Sequence, residues 1–326
     1  MVTKGKNING LMRHIRNCHE VEIKGSTQKK SLLNMGYYHG YKRFKFIKSK
    51  ENQQPLKYFS EIQEMHKFDF ELKKLFYPML IEVETGIKNR VIDCLVTDNN
   101  PDIEYIYMKK LIDYKDNDKE SSKKEKLKMR LKLREVIDQV IGYNYGKNAA
   151  LTHYLHKSEP IPVWVYFEVI SFGQFGHFIS RLSKDWRFKI CRANGINDTP
   201  ISVDGRLLEH MVLTLTDLRN ATMHNSPVFD ANFNKDGVPK QLKTFIKSEF
   251  QLTDKINFDK IIDYLILLIY ILKAQGHSKR ELKGYVREFV RIKEQLNKSV
   301  PLKTYGELLG VNSNKIVSQI YKFISK

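Results

Sequence analysis

Residues 62–95 read IQEMHKFDFELKKLFYPMLIEVETGIKNRVIDCL. Apolar side chains recur at Ile62, Met65, Phe68, Leu72, Leu75, Phe76, Met79, Leu80, Val83, Ile87, Val91 and Leu95. Steps of three and four follow one face of an α-helix, at about 3.6 residues per turn. Pro78 and Gly86 are the places where such a helix would kink. The pattern repeats along the chain. Residues 123–141 carry it at Leu127, Leu131, Leu133, Val136, Ile137 and Val140. Pro162 suits a first helical turn and opens a helix predicted through residue 182. Further helices are predicted at 205–223, 257–274, 278–297 and 312–325. Strand signals are scarce, and the predicted class is all-α.

The chain has 326 residues, of which 41% are hydrophobic, enough for a folded core. Its charge is the unusual quantity: 56 Lys and Arg against 37 Asp and Glu leave +19. A field of that sign concentrates polyanions, so nucleic acid or an anionic surface is the expected partner. A membrane span is not expected. The most apolar run, YLILLIYIL at 264–272, has nine residues, whereas a span needs about 20. The beginning, MVTKGKNING, lacks the apolar stretch of a signal peptide. Cys18, Cys94 and Cys191 are few, scattered and odd in number, which fits a reducing, cytoplasmic setting. Cys18 and His19 lie near His14 in sequence, but three candidates without a fourth ligand fall short of a zinc site.

Charge is not evenly spread. The first fifty residues hold twelve Lys and Arg against Glu20 and Glu22, a net +10. Within them GYYHGYKRFKF (36–46) interleaves Tyr37, Tyr38 and Tyr41 with Lys42, Arg43 and Lys45. Aromatic faces can stack on unpaired bases while the cations hold phosphates, so these six are candidate RNA-binding residues. The alternative is a strand or hairpin that packs its tyrosines on the helical body. A second stripe, Lys123, Lys124, Lys126, Lys128, Arg130, Lys132 and Arg134, reads as a solvated helix face. Three regions follow: a basic, aromatic N-terminal stretch (1–55), a helical body (56–276) and C-terminal helices (277–326). Within the last, TYGELLGVNSNKIVSQIYKF (304–323) suits a helix-turn-helix for DNA or, more commonly, a helical hairpin packed on the body.

The stretch DLRNATMHN (217–225) is where chemistry concentrates. Leu208, Met211, Val212, Leu215, Leu218 and Thr222 mark one face of a helix that begins near Asp204, a candidate N-cap. On it Asn220 and His224 stand about 40° apart, close enough for Asn220 to fix the imidazole tautomer. Arg219 and His224 are about 140° apart and do not meet on one straight helix. Either the helix loosens at Asn225-Ser226-Pro227, or a second copy completes the pair. Glu82 and Glu168 are candidate supporting carboxylates, able to pair with Arg219 or the Lys88-Asn89-Arg90 cluster.

These residues resemble a known family. Arg219-Asn220-Ala221-Thr222-Met223-His224 fits the R-N-x-x-x-H form of the HEPN ribonuclease motif. Together with residues 36–46, 68–90 and 164–182 in this order, the chain resembles Abi-type abortive-infection proteins of the AbiD/AbiF group over about residues 5–275. The resemblance implies a HEPN-like helical bundle and a homodimer in which two motifs face each other. It also implies metal-free endoribonuclease chemistry without a cofactor, serving as a toxin in phage defence. There the ribose 2′-OH attacks the adjacent phosphate and leaves a 2′,3′-cyclic phosphate and a 5′-OH. His224 would move the proton, since histidine ordinarily titrates near about 6.5. Arg219 would stabilise the charged transition state and Asn220 would orient its neighbours. Relatives often carry a second His or Cys where this chain has Ala221, Thr222 and Asn225. Because unrestrained cleavage would harm the host, a restraining partner is expected, and the basic N-terminal stretch favours a structured RNA. A non-catalytic RNA-binding protein would carry the same charge.

Overall fold

The computed structural model describes residues 5–116, 119–197, 200–233 and 237–326. Helices α1 (Ile8–His19) and α2 (Gly25–Met35) lead through a wide turn at Tyr37–Tyr41 into a single helical turn, α3 (Lys42–Lys45). The axis of the molecule is α4 (Phe59–Leu95), 37 residues long. Around it lie α5 (Ile103–Lys109), α6 (Glu120–Asn144), α7 (Ala149–His156), α8 (Val163–Val169), α9 (Phe172–Ile179) and α10 (Lys184–Ala193). Then come α11 (Leu207–Met223), α12 (Lys240–Glu249) and α13 (Ile261–Ala274), and finally α14 (Lys279–Ser299), α15 (Leu302–Leu309) and α16 (Ser313–Ser325). The described residues contain isolated β-bridges but no strand. The protein is all-α.

Every apolar position predicted for α4 is buried, and the helix runs through Pro78 and Gly86 without ending. Gly86 has a packing purpose. A Cβ there would fall 2.5 Å from the Gln275 amide nitrogen, so the missing side chain leaves room for that amide, which donates to Val83 O at 3.3 Å. Arg90 fastens the same junction by donating to the carbonyls of Gly86 and Gln275. Gly176 does likewise for α9, where a Cβ would meet Leu213 of α11 at 2.6 Å.

Ile261 to Leu272 of α13 are all buried, so the most apolar run is a core helix. No helix among the described residues is long and apolar enough to cross a membrane. The three sequence regions share one core, which runs from Met12 to Ile324. At the C-terminal end α16 buries Val317, Ile320, Phe323 and Ile324, with Phe323 stacked on Phe250 at 4.0 Å. Gly310, at φ 77°, makes the turn between α15 and α16.

Four local expectations change. Residues 163–182 form two helices, because Ile170 is extended (ψ 145°) and Ser171 starts a new one. The Ser171 hydroxyl accepts from Gln174 N–H and the Gln174 side-chain amide oxygen accepts from Ser171 N–H, a capping box. Helix α11 begins at Leu207, since Asp204 spends its carboxylate on Arg206 N–H and the Gln241 amide. In α6 the buried face is Arg130, Leu133, Ile137 and Val140, while Leu127 and Leu131 are exposed. The N-terminal stretch is helical where a strand or hairpin was the alternative to RNA binding.

Candidate active site

The end of α11 is set by its last turn. Asn225 adopts φ 55°, Ser226 N–H donates to Ala221 O at 2.9 Å, and His224 N–H donates to Asn220 O at 2.9 Å. A left-handed Asn closing a helix in this way is a Schellman stop, and Pro227 cannot continue it. The stop is bolted to α4. Asp69, buried, accepts from Val228 N–H at 2.7 Å and Phe229 N–H at 3.0 Å. Its second oxygen holds Lys73 at 2.7 Å, and Lys73 donates to the Asn225 side chain at 3.0 Å. The backbone that carries His224 is therefore fixed to one face of α4 by three hydrogen bonds that join the turn to Asp69 and Lys73.

His224 itself is the C-cap of α11 and is exposed. Its imidazole makes no hydrogen bond, ion pair or ring contact among the described residues, so Asn220 does not hold it within one chain. Asn220 is also exposed, and its amide oxygen lies 3.4 Å from the Arg219 guanidinium. Arg219 is held on its other side by Glu84, whose carboxylate accepts from Nε at 3.1 Å. The other oxygen of Glu84 accepts from Lys88 at 2.9 Å, and Lys88 also donates to Ile170 O at 3.1 Å. One carboxylate thus ties α11 to α4 and, through Lys88, to the break between α8 and α9.

Glu84 takes the part expected of Glu82. Two residues apart on a helix is about 200°, so the two point to opposite sides. Glu82 instead lies 3.4 Å from the Tyr285 hydroxyl and 3.7 Å from His277 on α14 and its approach. A sequence signal for Glu84 existed: Ile81, Glu84, Thr85, Lys88 and Ile92 form one stripe, with Glu84 and Lys88 at i and i+4. That stripe lines an open cleft of about 460 Å³ between α4, α8 and α11. Asn89, Trp164, Phe167, Glu168 and Arg219 complete it, whereas Asn220 and His224 lie outside its lining. Glu168 makes no ion pair among the described residues.

The N-terminal candidates divide. Tyr41 is buried against the rings of His19 and Tyr37, each with its centroid 5.6 Å away, and its phenol is held well above the ordinary range by burial. His19 Nδ1 lies 3.0 Å from the Tyr41 hydroxyl, and burial, aided by His14, lowers the imidazole to about 4. Lys45 is buried as well. Its ammonium donates to the carbonyls of Gln54 and Leu56, both at 2.8 Å, and burial lowers its pKa. Tyr41 and Lys45 therefore build the turn and have no face to offer RNA. Tyr37 is half-buried in the same ring stack. The remaining three stay accessible: Tyr38 is 70% exposed, Lys42 lies 5.6 Å from its ring centre, and Arg43 faces solvent. They line a second hollow of about 370 Å³ with Phe46, Lys48 and Lys50, two of these being cations that the aromatic pattern alone did not single out.

Fold and sites define a strongly basic, helical protein with a polar helix terminus beside one cleft and a cationic hollow elsewhere. The family profile of Abi-like proteins matches residues 30–230, and the chain belongs to that family. The match takes in the aromatic turn, the whole of α4 and the DLRNATMHN stretch. No curated protein and no solved structure matches the chain.

Proposed function

We propose that the chain is a metal-independent endoribonuclease of abortive-infection defence, working in the cytoplasm as a homodimer with Arg219, Asn220 and His224 at its centre. Membership of the Abi-like family points to the defence role. The observation that carries the chemistry is the pairing at the end of α11: Arg219 is held by Glu84, and His224 stands exposed on a rigid helix stop. A guanidinium with one edge fixed by a carboxylate keeps its remaining donors for a phosphate. An exposed imidazole without an internal partner is free to take the 2′-OH proton. Since Asn220 does not meet His224 within one chain, the second copy of the motif would supply the facing groups. RNA reaches the site under the +19 charge.

The test uses protein stripped of nucleic acid in high salt, incubated in EDTA with labelled single-stranded RNA beside Arg219→Ala and His224→Ala. Cleavage leaving cyclic-phosphate ends, reduced about a hundredfold or more in both variants, is the expected result. Equal cleavage by all three proteins would mean a contaminating nuclease. The second reading is an RNA-binding protein that does not cut. The Tyr38–Lys42–Arg43 hollow favours it, because that surface serves binding with or without catalysis. It is also the surface on which a structured RNA would sit to restrain the enzyme. Binding retained without cleavage in any condition would select this reading.

A further inference from the structure

We infer that the cleft between α4, α8 and α11 is a base-binding subsite for one unpaired guanine nucleotide of an RNA. At about 460 Å³ it falls within the size range of small-ligand sites, and its walls are of two kinds. One is apolar and aromatic: Phe167 is buried at the back, and Trp164 and Ile81 are each 42% exposed. A tryptophan left that open at a cleft offers a stacking face, the usual way a protein grips an unpaired base.

The other wall is polar. Lys88 and Arg219 both lean on Glu84, and with Glu168 the cleft's two cations and two carboxylates balance, so a phosphate would be held by the donors that Lys88 and Arg219 leave free. Glu168, Asn89 and Thr85 are the exposed polar side chains there with no hydrogen bond among the described residues, and Glu168 is the charged one. An anionic Glu168 is out of place in a simple phosphate pocket, because it repels the ligand. It is in place if the ligand presents donors. Guanine carries N1–H and the 2-amino group side by side, which a carboxylate can accept with both oxygens, and its O6 suits an amide donor such as Asn89. Uracil sets a carbonyl on each side of its one N–H, and adenine and cytosine pair their amino group with a ring acceptor. Glu168 therefore discriminates for guanine, the other bases losing about tenfold for want of the bidentate contact.

Only the cleavage arm of the test rests on the ribonuclease reading; nucleotide binding does not require it. The chain has two tryptophans, Trp164 and Trp186, so Trp186→Phe leaves Trp164 as the sole indole reporter. Nucleic-acid-free protein is titrated with each of the four nucleoside 3′-monophosphates while fluorescence is read. Saturable quenching by the guanine nucleotide, about tenfold tighter than by the uracil nucleotide, is expected. Glu168→Gln should lose that tenfold for guanine and leave uracil unchanged. If Trp186→Phe folds poorly, the difference between wild type and Trp164→Phe gives the same signal. Absence of saturable quenching would overturn the inference. So would equal affinity for all four nucleotides unaltered by Glu168→Gln, since that is attraction to charge alone. Where RNA is cut, mapped ends should show a guanine preference that Glu168→Gln relaxes; a protein that binds guanine but cuts nothing would sink the ribonuclease and leave this subsite standing.

Discussion

Helices α4 and α6 carry the same three-and-four apolar spacing, yet only one buries it. In α4 each predicted position from Ile62 to Leu95 is interior. In α6 Leu127 and Leu131 face solvent, and the inward place between them belongs to Arg130. Its guanidinium donates to the carbonyls of Leu111 and Tyr107, at 2.8 and 2.9 Å, and lies 4.0 Å from the Tyr107 ring centre. The frayed end of α5 exposes carbonyls that need donors, and a long cationic side chain satisfies them better than leucine does. Periodicity reports that a helix exists. It does not report which of its faces finds a partner when unpaired backbone competes for the same place.

The contrast breaks first at the centre of α4. Phe76 is fully buried, so Phe76→Ala should lose about 3–5 kcal/mol in urea unfolding. A loss below about 1 kcal/mol would mean that α4 is not the axis of the core.

A second polar residue in a core position sharpens the same point. Asp263 sits at the start of α13, buried among apolar neighbours, and accepts from Phe258 N–H at 2.9 Å. Burial raises its pKa to about 7, above an ordinary carboxyl near about 4. The folded state thus holds the proton more tightly than the unfolded chain. Stability from this group is fully present below pH about 4 and is lost as pH rises through about 7, on the order of 4 kcal/mol at most. Asp263→Asn keeps the acceptor and removes the charge. Urea midpoints at pH 5 and 8 should show the wild type losing ground to the variant at the higher pH; parallel behaviour would place the titration elsewhere.

Arg130→Met keeps the length of the side chain but removes the donors. About 2 kcal/mol should be lost, because the carbonyls of Leu111 and Tyr107 stay buried without them. An unchanged stability would mean that water replaces the guanidinium.

The same limits governed the site. The all-α class and the turn that ends α11 were legible, since Asn225-Ser226-Pro227 carries its own backbone preferences. Glu84 was legible too, on the stripe from Ile81 to Ile92, but Glu82, two residues away on the same helix, offers the same carboxylate to Arg219 when that stripe is not weighed. The fates of Tyr41 and Lys45 were not legible. An interleaved aromatic and basic run reads alike whether its rings stack on bases or on His19 and each other. The capping box at Ser171 and Gln174 was present in the letters, yet the apolar run across Ile170 masked it.

The smallest predicted effect isolates the contrast within a single helix. Leu131 and Leu133 are the same residue type, two positions apart in α6, and either belongs to the apolar spacing. Leu131 is 54% exposed and Leu133 5%. Leu133→Ala should cost about 2–3 kcal/mol, in line with a buried leucine at the edge of a core. Leu131→Ala should stay within about 0.5 kcal/mol, because alanine restores in helix propensity what little contact is lost. Chemical denaturation of the two variants side by side reads the difference directly. If Leu131→Ala proved the costlier, Leu131 would be covered in solution, and a second copy of the chain lying against α6 would be the first cause to examine by sedimentation.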